Sequence, residues 1–212
     1  MKKSKIIMTM MLLISASQLT FSQLKNDFKF GIKGGVNFTN INTNNTSENK
    51  SLTGVNFGIF AKLPITSSFA IQPEMYFTTK GSELTYQSVF VDGTAQFDLN
   101  YIEVPVLAVF KITNKFNVQL GPYASYLVNS NVKNVSDINF NFEDNIDSGD
   151  FTKFDTGVAA GVEFEGKSFS LGVRYNFGLI TVGEEKTYFG TNYIFPDGKN
   201  SVLNVYLSYS IF

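Results

Sequence analysis

Phe28-Lys29-Phe30-Gly31-Ile32-Lys33-Gly34-Gly35-Val36-Asn37-Phe38 is the stretch that decides the fold. Phe28, Phe30, Ile32, Val36 and Phe38 share one side of an extended chain. Lys29, Gly31, Lys33, Gly35 and Asn37 share the other. Successive side chains of a strand point to opposite faces, so a period of two predicts a strand with one apolar and one polar face. The pattern recurs downstream. Val55, Phe57, Ile59, Ala61 and Leu63 oppose Asn56, Gly58, Phe60 and Lys62, and Phe69, Ile71, Pro73, Met75 and Phe77 oppose Gln72, Glu74, Tyr76 and Thr78. The same alternation runs through Tyr101–Ala108, Phe116–Tyr126, Asp155–Phe164, Phe169–Gly178 and Leu203–Ile211. These segments amount to about eight strands of roughly ten residues each, the length a tilted strand needs to cross a bilayer.

The connections alternate as well. Pro64–Ser68, Ile112–Lys115 and Glu165–Ser168 are short. Asn40–Ser51, Gly81–Gln96, Asn129–Lys153 and Ile180–Asn200 are long, polar and rich in Asn, Asp, Gly and Thr. Up-and-down strands gather the short turns at one end and the long loops at the other, the asymmetry of outer-membrane barrels with short periplasmic turns. The predicted fold is therefore all-β: an up-and-down antiparallel transmembrane β-barrel.

Ahead of the strands, Lys2, Lys3 and Lys5 precede the apolar run Ile6–Ile14, and Thr20 and Ser22 stand at the −3 and −1 positions of a cut before Gln23. This is the pattern of a secretory signal peptide. Its apolar core falls short of the roughly 20 residues a spanning helix needs. Residues 1–22 are thus expected to be a cleaved leader and 23–212 the barrel domain, exported to the outer membrane.

Composition removes several functions. The chain contains neither Cys nor His. Disulfides, thiolate metal sites, Cys nucleophiles and Ser-His-Asp chemistry are therefore out of reach. The usual general base near neutral pH is missing too. A net charge of −1 gives no electrostatic footprint for nucleic acid.

Alternation alone does not say which face meets water, because a lipocalin-like soluble carrier alternates with its apolar face inward. Glycine placement favours the opposite arrangement. Gly31, Gly35, Gly58, Gly121, Gly157, Gly161, Gly172 and Gly178 all lie on the polar face, with Gly34 as the exception. A narrow barrel interior is crowded and takes small residues, whereas a solvated face has no such need. The apolar faces also carry no charge, as hydrocarbon contact requires. The chain closes on Tyr209-Ser210-Ile211-Phe212, and its last aromatic falls on the polar register.

Several stretches resemble a known family. Phe30-Gly31-Ile32-Lys33-Gly34-Gly35-Val36-Asn37 is similar to the opening strand of the PorT-like outer membrane protein beta-barrel family, and Tyr101-Ile102-Glu103-Val104-Pro105 to its mid-chain Tyr-x-x-x-Pro strand. Leu120-Gly121-Pro122-Tyr123, Phe154-Asp155-Thr156-Gly157 and Arg174-Tyr175-x-x-Gly178 resemble later strands. The resemblance spans nearly the whole mature chain and implies an outer-membrane barrel. The namesake's part in protein secretion makes envelope or secretion proteins the candidate protein partners, beside outer-membrane lipid.

With lipid outside, the charged strand residues line the bore. They are Lys29, Lys33, Lys62, Lys80 and Arg174 against Glu74, Glu103, Asp155 and Glu163. Counted from the short turns, Lys33, Glu74, Glu103 and Arg174 reach similar depth, so a structural ion-pair network is expected among these four residues. Glu74 and Glu103 could also be read as a carboxylate pair for acid–base catalysis, but a filled lumen admits no substrate. The acidic stretch Asp137–Asp150, with Glu143, Asp144, Asp147 and Asp150, lacks the ordered spacing of a calcium loop and is expected to be solvated. Aromatic clusters near Tyr188 and Tyr193 suit either a partner or the membrane boundary. The sequence thus predicts a barrel without cofactor, metal or catalysis, in a structural or interaction role. The alternatives are an accessory part of a secretion system, a small porin and a soluble carrier.

Overall fold

The computed structural model describes residues 28–43, 48–87, 92–134, 151–183, 185–188, 191–194 and 197–212. The expected leader and the acidic stretch of the third long loop lie outside them. The strands are β1 (Lys29–Thr43), β2 (Glu48–Pro64), β3 (Phe69–Gln87), β4 (Asp92–Lys111) and β5 (Phe116–Asn134), then β6 (Phe154–Glu165), β7 (Phe169–Thr181), β8 (Glu185–Tyr188), β9 (Thr191–Ile194) and β10 (Gly198–Ser210).

Eight of them close into a barrel in the order β1-β10-β7-β6-β5-β4-β3-β2. All neighbours run antiparallel, and the seam pairs Gly31 with Ser210 through to Thr43 with Gly198. Closure matters because a bilayer core offers no water to an unpaired backbone N–H or C=O, so a sheet can cross it only without edges. Hairpin β8–β9 stands apart as a two-stranded sheet within the last long loop.

Side chains follow the expected phase. Ile32, Val36, Phe57, Ile59, Met75, Ile102, Leu120, Val158, Val173, Phe177 and Leu207 are exposed on the outer wall. Lys33, Asn37, Lys62, Glu74, Glu103, Gln119, Asp155, Arg174 and Ser208 are buried. This is the reverse of a water-soluble carrier. Paired aromatics mark the rims of the outer wall. Phe69 lies 5.2 Å from Phe110 and Phe169 4.9 Å from Tyr209, both near the short turns. Tyr126 lies 5.1 Å from Phe154 toward the long loops. Such girdles flank the apolar band of outer-membrane barrels.

The strands are longer than the alternation predicts. β3 has 19 residues and β4 has 20, twice what a bilayer requires. Much of the first two expected loops is therefore paired strand: β1 runs on to Thr43, β3 to Gln87, and β4 already begins at Asp92. Backbone pairing does not depend on one greasy face. Beyond the apolar band the outer face turns polar, as at Asp98 and Asn100, so the apolar outer row gives out while the hydrogen-bond ladder continues. Phe212 lies beyond β10, which stops at Ser210, and is 77% exposed.

Two glycines have specific reasons. Gly81 has φ 152°, a conformation open to glycine and rarely to other residues. There the β2–β3 register shifts between Ser51 and Asn56, and consecutive residues Lys80, Gly81 and Ser82 are all buried. At Gly172, a Cβ atom would fall on the Tyr206 ring.

Candidate functional site

The lumen is the place where this fold gathers chemistry, and it is filled in layers. Space for long polar side chains comes from cross-strand pairing with small residues. Lys33 on β1 stands opposite Gly58 on β2 and Ser208 on β10. Arg174 on β7 stands opposite Gly161 on β6, and Glu163 opposite Gly172.

At the end bearing the short turns, Glu165 accepts hydrogen bonds from Lys29 Nζ, Lys62 Nζ and Asn117 Nδ2, each at 2.6 Å. Glu163 lies 3.8 Å from Lys62 Nζ and accepts from the Tyr206 hydroxyl at 3.0 Å.

The middle layer centres on Glu74. Arg174 donates through Nη1 at 2.6 Å and Nη2 at 2.9 Å. Lys33 Nζ donates at 3.0 Å and Gln72 Nε2 at 2.7 Å. Gln119 Oε1 accepts from Arg174 Nη2 at 2.6 Å and from the Tyr206 hydroxyl at 3.1 Å. Lys33 Nζ also sits 3.4 Å from the centre of the Tyr206 ring, a cation–π contact in a dry setting.

Above it, Lys80 Nζ lies 2.6 Å from Glu103 Oε2 and 2.7 Å from Asp155 Oδ2. Glu103 Oε1 accepts from the Tyr76 hydroxyl and from Asn176 Nδ2, both at 2.6 Å. Asn200 Nδ2 donates to Asp155 at 3.1 Å. Beside this layer, Asn37 Oδ1 accepts from Asn56 Nδ2 at 2.8 Å and Asn204 Nδ2 at 2.5 Å.

Toward the long loops the lumen turns apolar. Ile41, Phe97, Leu99, Tyr101, Leu127, Phe151 and Val182 form a buried cluster. Phe151, just before β6, packs edge-on against Phe97 at 6.0 Å. Its segment extends β6 in the wall between its neighbours β5 and β7. Phe151 bridges to Gly183, Thr152 N donates to Val182 O at 2.8 Å, and Leu127 N donates to Lys153 O at 2.7 Å.

Of the four residues singled out by depth, Lys33, Glu74 and Arg174 meet in one hydrogen-bonded group. Glu103 is held instead by Lys80. Counting residues from the turns does not distinguish these groups, because strand tilt and shear displace equal counts to different heights. Sequence reasoning passed over Gln72, Tyr76, Gln119, Asn176 and Tyr206 as partners, although their phase already placed them inward. It had no signal for the apolar cap, since Phe151 lies outside any alternating run. Glu74 and Glu103 are bound to different cations, with side-chain exposure of 0% for each. Neither is placed to exchange protons with a substrate. Among the described residues no acidic cluster is arranged to hold a metal ion. Tyr188 and Tyr193 lie on the β8–β9 hairpin, where Tyr193 pairs with Lys186 and Tyr188 with Thr191.

Comparison with known proteins matches residues 17–183 to the family described as outer membrane protein beta-barrel domain. Among solved structures, Ail, the attachment invasion locus protein of Yersinia pestis, aligns at 13% identity and a TM-score of 0.48, covering 87% of this chain and 99% of its own. Neisserial surface protein A aligns at 15% identity and 0.47, covering 88% and 100%. OprG from Pseudomonas aeruginosa aligns at 10% identity and 0.38, covering 86% and 91%. No curated protein sequence matches the chain.

Proposed function

From the premise that the chain belongs to the outer membrane protein beta-barrel domain family, we propose that it is a closed, non-catalytic outer-membrane barrel. Its wall is a rigid platform, and its outward hairpins meet partners. One observation carries this reading: the ion pairs run across the bore. Arg174 on β7 reaches Glu74 on β3, and Lys80 on β3 reaches Asp155 on β6. An eight-stranded lumen is just wide enough for side chains to fill, and these cross-links support a bore closed to ions. The same packing denies a substrate access to the carboxylates, which argues against catalysis and against a small porin.

The lipid-facing wall, the family and the Lys2–Gln23 pattern together support export with removal of residues 1–22. A narrower reading is an accessory part in a secretion system, as the PorT-like resemblance implies. Specific co-purification with other envelope proteins would favour it. The test of the main reading is planar-bilayer recording of the pure folded protein. It is expected to give no steady conductance, and large, long-lived open channels would contradict it.

A further inference from the structure

At the short-turn end, which is the periplasmic end of such a barrel, the lumen opens into a cavity of about 160 Å³. Lys29, Lys62, Lys111, Asn114 and Glu165 line it. The donors converge as they would around a bound anion, and Glu165 fills part of that role. It takes Lys29, Lys62 and Asn117 at once. Lys111 lines the same cavity and has no carboxylate partner among the described residues. Lys29, Lys62 and Lys111 together outnumber Glu165 and the more distant Glu163, so the mouth keeps a positive surplus. Lys115 and Lys167, exposed in the flanking turns, add to it.

We propose that this mouth binds a phosphate-bearing anion, with Lys111 and Asn114 as its direct donors and Lys29 and Lys62 shared between it and Glu165. Several donors set around a cavity of this size suit a polyatomic oxyanion better than chloride. Charge-assisted hydrogen bonds to phosphate are the strong ones. The periplasmic rim lies at the level of phospholipid headgroups, so the phosphate has two sources, a lipid headgroup or a soluble phosphate.

The test uses the folded protein in maltoside micelles, whose headgroups carry no phosphate. Backbone amide resonances are followed as inorganic phosphate replaces chloride at constant ionic strength. The Asn114 and Gly166 amides are expected to shift saturably. Lys111→Met should weaken binding about tenfold, the loss of one charge-assisted contact. Lys50→Met, exposed at the opposite end of the barrel, should leave it unchanged. Asn114→Ala, in an exposed turn, is the second variant should Lys111→Met fail to fold, and it too should weaken binding. In nanodiscs containing phosphatidylglycerol, amides already shifted and insensitive to added phosphate identify a headgroup; amides that still titrate identify a soluble anion. No saturable shift in either setting, an equal response to chloride (an adventitious ion only), or full affinity in both cavity variants would overturn the proposal.

Discussion

Arg174 closes a two-pronged hydrogen bond on Glu74 across the bore, with Nη1 2.6 Å from Oε2 and Nη2 2.9 Å from Oε1. The two residues lie on strands that are not neighbours in the barrel, so the bond spans the lumen rather than decorating its wall. It is bidentate and fully enclosed, the geometry in which Arg–carboxylate pairing is strongest. The pair needs Lys33 and Gln72 as well, since burying charge is costly unless every lone pair finds a donor.

Removing Glu74 therefore strands two cations. Glu74→Ala leaves Arg174 and Lys33 buried without their carboxylate, and should destabilise the barrel by about 3–5 kcal/mol. Urea unfolding in vesicles, followed by the heat-dependent shift of the folded band, measures it. Lys50→Ala is the contrast, because its bond to Glu83 is solvent-exposed. An exposed pair of this kind is worth about 0–1 kcal/mol.

The two faces should respond differently to substitution. Val173 faces the membrane and is 39% exposed. Val173→Arg should block assembly or cost roughly 2–4 kcal/mol, the range for a cation at mid-bilayer. Ser208 is buried in the lumen, and its hydroxyl makes no hydrogen bond among the described residues, so Ser208→Ala should be nearly silent. Parallel refolding assays of the two variants check this.

Period-two alternation separates the two faces, because a transmembrane strand repeats one physical demand at every second residue, and the glycines on the polar face say which one turns inward. Val173 and Arg174 were separable on that ground alone, as were Phe57 and Phe60. Strand ends were not legible at Thr43 or Gln87, where the apolar face gives out before the backbone ladder does. Cross-bore partners were legible only as inward-facing residues. Whether Glu74 meets Arg174 or Glu103 meets Lys80 depends on shear, which sums register over every strand pair and leaves no mark in any one segment. Phe151, on the extension of β6, belongs to no alternating run and so leaves no signal.

Space beside Tyr206 is the next point of sensitivity. Gly172→Ala places a methyl against the Tyr206 ring, which also packs on Lys33 and whose hydroxyl shares its proton between Gln119 and Glu163. The ring must move, at a cost of about 1–3 kcal/mol for overpacking. The same unfolding assay reads it. Gly34→Ala, on the outer face with only the Asn56 carbonyl nearby, should be tolerated.

The apolar cap should loosen without unfolding the barrel. Phe151→Ala removes the ring packed on Phe97. A truncation of this kind costs about 3–5 kcal/mol in a core, here felt by the extension of β6 that carries Phe151. Hydrogen exchange should accelerate at Thr152 and Leu127, whose amides tie that extension to its neighbours. Amides of the β1–β10 seam should stay protected.

The central claim is that apolar side chains touch acyl tails while the other face packs the bore. Phe57 and Phe60 test it on one strand with one residue type, being 62% and 6% exposed on opposite faces of β2. The chain contains no Trp, so Phe57→Trp and Phe60→Trp each supply a single fluorophore. In vesicles of phospholipid brominated on its acyl chains, Phe57→Trp should be strongly quenched and Phe60→Trp should stay bright. Quenching of Phe60→Trp with Phe57→Trp untouched would mean that the barrel is inside out.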